Sequence, residues 1–317
     1  MGLFNSYLKE GPGVDKNAKR KKGIFLYFEI VFSKFFKFIK ANSMISLVSL
    51  PYFAIAFLFL SPFIMRGFGI DAAMELAISD MKLAAEEVAS MQLMVQAIIT
   101  VMLFNFFGSG PASASYAYIT RCYTRAEHAW ILSDGKDKFK ENFKNSALLF
   151  VADCFIIFLV MNAVYFYGQY ALNQTGAVAM LFTYIRFFTM LIFIIYMMMH
   201  IYAYQLMVTY ECNFRMMIKS AFMLTMAKLP VNVILTVITL ALIFIPMQYF
   251  NPVISVLFYM VIGMMFTRFP LEFYAARVIE KNIKAVAKNS GKGEENQDAE
   301  EKIFEDNAAE KIKERVQ

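Results

Sequence analysis

The chain has few of the residues that most often carry chemistry. Among its 317 residues there are only three cysteines, two histidines and one tryptophan. Cys122, Cys154 and Cys212 show no spacing that would pair them, which argues against a disulfide framework. His128 and His200 stand apart, with no metal-ligand spacing around them. We therefore expect no metal site and no cofactor.

Catalytic motifs are also missing from the sequence. We find no phosphate-binding Walker motif, no nucleophile placed beside a base, no metal-binding histidine helix and no paired catalytic carboxylates. Charged residues make up 18% of the chain, whereas soluble domains have about 25%. An enzyme is not expected, and an ordinary soluble domain is excluded.

The sequence contains several long apolar runs. Hydrophobic residues make up 59% of the chain, and about 20 apolar residues in a row suffice to span a membrane as a helix. The runs do not alternate in polarity as the strands of a membrane barrel would. We predict an all-α, six-span helical bundle, with spans near Ser43–Phe63, Met91–Phe107, Ala147–Tyr167, Ala177–Leu206, Pro230–Met247 and Val253–Phe273.

Lysine and arginine are concentrated in every second connection between these spans. The connections on the opposite side contain only Arg66 and Lys82. Because basic residues stay on the cytoplasmic side, this predicts a multi-pass protein of the cell membrane with both termini in the cytoplasm. The net charge of +6 is then explained by topology and contact with anionic inner-leaflet lipids. Nucleic acid is not an expected partner.

The same pattern divides the chain into regions. Residues 1–23 form a basic cytoplasmic N-terminus, residues 24–280 the membrane domain, and residues 281–317 a charged cytoplasmic tail that is either a solvated helix or disordered. The one sizeable external segment is Arg66–Ser90, whose alanine, methionine and leucine spacing predicts an amphipathic helix.

A short motif recurs before three of the spans. It consists of an aromatic residue, three others, and a large apolar residue followed by lysine, in Phe35–Lys40, Phe139–Lys144 and Phe214–Lys219. Leu-Pro follows the first and third copies at the same distance. This predicts three similar hairpins, each with a cytoplasmic interfacial helix, of which Ile24–Lys40 is the clearest. The alternatives are that the motif reflects shared interfacial chemistry, and that Ile24–Lys40 extends the first span.

A cluster of small residues ends the second span. Gly108, Gly110, Pro111 and Ala112 predict a break in the helix, because proline removes a backbone donor and small residues permit close helix approach. A further helix is expected over Tyr116–Trp130. The break is either a hinge facing a substrate or a packing corner, that is, a close-packed turn where the chain leaves the membrane. The packing corner is favoured.

Two ionisable residues lie within the predicted spans. Asp153 is about 9 Å from the cytoplasmic end of its span, and Arg186 about 14 Å from the outer end of the next. Because charged residues in a membrane usually find a partner, we predict that they form an intramembrane pair. A structural clamp is favoured over a proton or ion relay.

The segment after the small-residue cluster resembles the YesL-like family of bacterial membrane proteins. The residues that carry the resemblance are Gly110–Tyr118, Arg121 and Arg125, Ser133-Asp134, and the run from Phe139 to Ser146. Similarity extends over roughly residues 24–280 and includes Leu229-Pro230. The resemblance implies a role beside carbohydrate uptake, since members are typically encoded with ABC importers.

One departure limits what the resemblance implies. An importer permease would present a Glu-Ala-Ala-x-x-x-Gly core to its ATPase, and the loop at Glu211–Met217 lacks it. We therefore predict a non-enzymatic accessory or regulatory subunit of a carbohydrate ABC importer. Its expected partners are permease subunits and an extracellular binding protein. The alternative is an autonomous permease for a small solute.

Overall fold

This computed structural model describes residues 23–79, 84–210 and 213–289. All regular secondary structure among these residues is helical, and no strand lies among them. The helices are α1 (Ile24–Ser33), α2 (Phe35–Val48), α3 (Leu50–Ile55), α4 (Ser61–Phe68), α5 (Ile70–Ser79), α6 (Ala85–Phe106), α7 (Pro111–Arg125), α8 (Ser133–Glu141), α9 (Phe143–Leu172), α10 (Gly176–Thr209), α11 (Phe214–Ala227), α12 (Leu229–Tyr249), α13 (Pro252–Phe258) and α14 (Met264–Asn289). Single π-helical turns, Ala56–Leu60 and Tyr259–Gly263, join α3 to α4 and α13 to α14.

Six helical segments among these residues are long and apolar enough to cross a membrane. They are Leu50–Phe68, Glu86–Phe106, Phe143–Leu172, Gly176–Thr209, Leu229–Tyr249 and Pro252–Asn282. A helix satisfies its own backbone hydrogen bonds, which lipid cannot do, so apolar runs of this length fold as helices. The prediction of an all-α, six-span bundle is confirmed.

The centre of the molecule is α7, a helix that is too polar to be a span. Eleven of its 15 residues are buried, and it packs against α2, α8, α10 and α14. Three of its hydroxyl side chains donate hydrogen bonds back to its own carbonyls: Ser115 to Pro111, Thr120 to Ala117 and Thr124 to Thr120. Because these three hydroxyls are satisfied within the helix, they can be buried among apolar neighbours.

The longest helix, α10, changes its surroundings half-way along. Every residue of the segment 198–208 is buried. None of residues 176–197 is buried. In that first half, a stripe that includes Phe182 faces α9, where its ring lies 4.3 Å from that of Tyr170. The C-terminal half of α10 therefore belongs to the core, and the N-terminal half forms a hairpin with α9.

Two of the three repeated motifs lie in equivalent local structures. The first motif opens α2 and the third opens α11, and both helices have 14 residues. Each ends at one residue that leaves the helical conformation, Ser49 or Lys228, and the next helix begins with Leu-Pro. Proline fits there because the first turn of a helix needs no partner for its nitrogen.

The second motif breaks the threefold pattern. Phe139 is the last aromatic residue of α8, the chain leaves the helical conformation at Asn142, and Lys144 lies in the first turn of α9. The motif thus spans a helix break there, whereas Phe35 with Lys40 and Phe214 with Lys219 lie within single helices. Shared interfacial chemistry explains the second copy better than a common unit does.

The proposed interfacial helix Ile24–Lys40 is not one helix. It breaks at Lys34, between α1 and α2, and α2 continues to Val48.

The external segment Arg66–Ser90 is also divided, because α4 ends at Phe68, α5 is a separate helix, and α6 begins at Ala85. At the other end α14 continues to Asn289, inside the expected tail. The N-terminus 1–22, residues 80–83 and the tail 290–317 lie outside the described residues.

Candidate functional site: a polar core beside two helix breaks

The break between α6 and α7 is a tight turn built on two glycines. Gly108 and Gly110 have φ values of 75° and 68°, which glycine adopts without strain. A Cβ on Gly108 would lie 2.5 Å from the Ser113 hydroxyl oxygen and 2.9 Å from the Tyr204 ring. On Gly110 it would lie 3.2 Å from the Ser146 carbonyl oxygen. Both positions therefore require glycine, for conformation and for space.

A second break, between α2 and α3, lies directly against this turn. The Ser49 hydroxyl oxygen is 2.6 Å from that of Ser109, and the Ser113 hydroxyl accepts a hydrogen bond from the Ser109 backbone nitrogen at 2.7 Å. Serine side chains thus satisfy backbone groups that the broken helices leave free.

Tyr204 of α10 closes the turn from the other side. Its hydroxyl donates to the Phe107 carbonyl oxygen at 2.9 Å and accepts from the Gly110 nitrogen at 3.3 Å. The expected break at Gly108, Gly110, Pro111 and Ala112 is present, with α7 restarting at Pro111. Because both glycines and Tyr204 are closely packed, the geometry favours the packing corner over the hinge.

A buried ion pair on α14 lies to one side of the turn between α6 and α7. Arg268 and Glu272 are 2% and 5% exposed, and Arg268 Nε is 3.5 Å from Glu272 Oε1. Arg268 also donates to the Phe104 carbonyl oxygen at 3.2 Å. Its guanidinium lies 5.4 Å from the ring centroids of both Phe104 and Tyr116. The carboxylate, the carbonyl and the aromatic faces together balance a buried charge.

Gln205 links this ion pair to the central helix. Its amide nitrogen is 2.6 Å from Glu272 Oε2, 3.0 Å from the Ala117 carbonyl oxygen and 3.2 Å from the Thr120 hydroxyl. The side chain is fully buried. One amide therefore holds α7, α10 and α14 together at the polar core.

Asp153 forms a second buried cluster with two residues of α10. Its Oδ1 atom accepts from the Tyr196 hydroxyl at 2.5 Å and lies 2.9 Å from His200 Nε2. The other ring nitrogen, Nδ1, lies 3.1 Å from the Tyr196 carbonyl oxygen. Both ring nitrogens of His200 thus lie within hydrogen-bond distance of an oxygen atom, which fixes the orientation of the ring.

The predicted pair of Asp153 and Arg186 is wrong. Arg186 instead donates to the Gly67 carbonyl oxygen at 3.3 Å, beside Gly168. The two helices have 30 and 34 residues, so at 1.5 Å per residue they are about 45 and 51 Å long. Asp153 and Arg186 each lie about 15 Å from the start of their own helix. Because α9 and α10 are antiparallel, the two residues are separated by about 15–20 Å along the helix axes.

Four polar core residues were not predicted as site residues: His200, Gln205, Arg268 and Glu272. His200 was interpreted as isolated because its partner, Asp153, lies 47 positions away in the sequence. Arg268 was counted among the basic residues that close the last span, and Glu272 was not singled out. The signal available was their spacing of four residues on one helix, which places both side chains on the same face.

The arginines that carry the family resemblance have structural contacts. Arg121 donates to the carbonyl oxygen of Val208 and, at 3.3 Å, to the Thr209 hydroxyl, at the C-terminus of α10. A cation at that end of a helix is stabilising. Burial, together with Arg125, lowers the pKa of Arg121, and burial raises the pKa of the neighbouring Cys122 thiol. Arg121 therefore joins α7 to α10.

Neither a metal cluster nor a known relative helps to define the site. No group of three or more potential metal ligands is present in the described parts of the chain. No model of a known family matches the chain, and neither a curated protein nor a solved structure is significantly similar to it. The resemblance to the YesL-like family therefore stays a prediction, and function has to be argued from the geometry.

Proposed function

We propose that this protein is a non-enzymatic accessory or regulatory subunit of a carbohydrate ABC importer, and that it docks on the permease through its membrane helices. The observation that carries the proposal is the N-terminal half of α10, where none of residues 176–197 is buried. The role in carbohydrate import comes from the resemblance to the YesL-like family.

The exposed side of this half-helix has the composition of a helix-docking surface. It presents aromatic side chains one turn apart: Tyr184, Phe187 and Phe188 are 69%, 63% and 62% exposed. Aromatic residues bury a large area for little loss of side-chain freedom and are enriched at protein interfaces. We call residues 177–194 of α10, on the side away from α9, the α10 face.

The remaining parts of the proposal concern topology and further partners. The protein lies in the cell membrane with both termini in the cytoplasm, where its basic residues contact anionic lipids. The external segment Arg66–Ser90 contacts an extracellular binding protein or the permease. Its helix α5 has no fully buried residue, and Ile70 and Met74 pack against the core, so the opposite side of the helix is open to a partner.

Site-specific photo-crosslinking in native membranes tests the docking surface. A photoreactive residue at Phe188 should form a crosslink with a permease subunit. The matched control is Ile238 of α12, which is 50% exposed and apolar but lies on another helix, and it should give lipid adducts only. Lipid adducts alone from Phe188 would contradict docking through the α10 face.

The second candidate is an autonomous permease for a small solute, and the polar core favours it. Asp153 with His200, and Arg268 with Glu272, are two buried ionisable pairs beside two helix breaks. Charged residues within a membrane domain often mark ion or substrate pathways. The core thus supplies the second pair that a relay would need.

Sealed vesicles that contain the purified protein and a trapped pH-sensitive dye test this alternative. Addition of mono- and disaccharides should change the internal pH if uptake is coupled to protons, and Asp153→Asn should abolish the change. A wild-type response equal to that of empty vesicles would remove proton-coupled sugar uptake from consideration.

A further inference from the structure

We infer that Arg186 and the cavity around it bind the phosphate of an anionic membrane lipid. The cavity has a volume of about 450 Å³, within the size range of ligand sites. It lies where α4, α9 and α10 meet. Its walls are mostly apolar, and they include Phe68, Leu172, Thr183, Arg186, Phe187 and Met190. This site is separate from the polar core, borders the α10 face at Phe187, and does not depend on the proposed function.

The guanidinium of Arg186 lacks a counter-charge in the described parts of the chain. None of the carboxylates described there forms an ion pair with it. It donates a hydrogen bond to the Gly67 carbonyl oxygen at 3.3 Å, and its buried Nε atom has no hydrogen-bond partner among the described residues. A charge surrounded by apolar side chains is costly without a partner, and a guanidinium matches the two oxygens of a phosphate.

The contacts of Arg186 also place it close to a membrane surface. Gly67 is one residue from the end of α4, and next to it the exposed Arg66 lies over the Tyr165 ring at 4.4 Å. Arginine and tyrosine at the end of a span are typical of the interface between membrane and water. The side chain of Arg186 is therefore level with lipid headgroups.

The shape of the site suits a lipid better than a small anion. Gly168 provides room for the guanidinium, since a Cβ there would lie 3.0 Å from an Arg186 terminal nitrogen. Phe187 and Met190 continue the lining along α10. A phosphate held by Arg186 would place its acyl chains along these apolar side chains, in the direction of the membrane interior.

Native mass spectrometry of the delipidated full-length protein, titrated with phosphatidylglycerol or phosphatidylcholine, tests the inference. We expect wild-type protein to prefer phosphatidylglycerol, and Arg186→Gln to weaken its binding about tenfold, the effect of losing a charge-assisted hydrogen bond. The matched control is Arg277→Gln, since Arg277 is also half-buried but contacts Phe273 on α14. It should bind as the wild type does.

Two further measurements separate the other outcomes. If Arg186→Gln does not fold, Gly168→Leu keeps the charge, fills the space beside the guanidinium and should also lose the lipid. Excess inorganic phosphate should leave the bound lipid in place. Displacement by phosphate would identify a site for free anions, and unchanged lipid binding by folded Arg186→Gln would show that Arg186 only caps α4. Either result overturns the inference.

Discussion

Removing the carboxylate of Glu272 is the sharpest perturbation of the polar core. Glu272 faces the Arg268 guanidinium at 3.5 Å and accepts from Gln205 at 2.6 Å, and all three side chains are buried. Glu272→Ala leaves the charge of Arg268 with one carbonyl and its aromatic neighbours. Breaking a buried pair in this way is expected to lower the free energy of unfolding by about 3–5 kcal/mol.

The same reasoning predicts that a second substitution restores much of the loss. In Arg268→Met with Glu272→Leu, neither charge of this pair remains and the volume is nearly kept. Replacing both members of a buried pair with apolar residues is often neutral or stabilising. We therefore expect the double variant to be more stable than Glu272→Ala by at least about 2 kcal/mol.

Unfolding in mixed micelles with increasing SDS, followed by far-ultraviolet circular dichroism, gives these free energies. Glu87→Ala is the control, because Glu87 is exposed at the start of α6, and it should change stability by no more than about 0.5 kcal/mol. A loss below about 1 kcal/mol for Glu272→Ala, or a double variant no better than the single one, would refute the role assigned to the pair.

Three further predictions concern the turn and the central helix. Gly108→Ala should lower stability by more than about 2 kcal/mol in the same assay, because its Cβ would overlap the Ser113 hydroxyl, whereas a neutral result would contradict the packing corner. Tyr204→Phe loses the hydroxyl that joins Phe107 to Gly110 and should cost about 1–3 kcal/mol, with no change if the hydroxyl is dispensable. Cys122, in a variant with its other cysteines replaced by serine, should react with maleimide only after unfolding, because it is buried and its thiol pKa is raised. Rapid labelling of the folded protein would contradict its burial.

Spans were predictable because length and polarity alone determine them. Each apolar run must form a helix that satisfies its own backbone hydrogen bonds in lipid. Neither the periodicity of the run nor its packing partners were needed to predict the span. The break before Pro111 was predictable for a similar local reason, since glycine and proline act through the backbone. The features that could be predicted are those that a single segment of the sequence determines by itself.

Pairing between distant residues was not predictable in this way. The error at Asp153 arose because the depth of a residue depends on where its helix begins, and α9 and α10 extend beyond the apolar cores of their spans. Gln205 is recognisable as a site residue only once α7 and α14 are placed beside α10. The second motif differs from the other two at Asn142, where one helix ends and the next begins, because a short motif does not determine where a helix ends.

The two candidate functions differ in what accompanies the protein in its membrane. Gentle detergent extraction of the tagged protein from its native host, followed by mass spectrometry of the co-purified proteins, is the most direct measurement. The accessory role predicts permease and ATPase subunits in stoichiometric amounts. A lone protein or homo-oligomer would contradict that role and make Asp153 and Glu272 the first residues to test for transport.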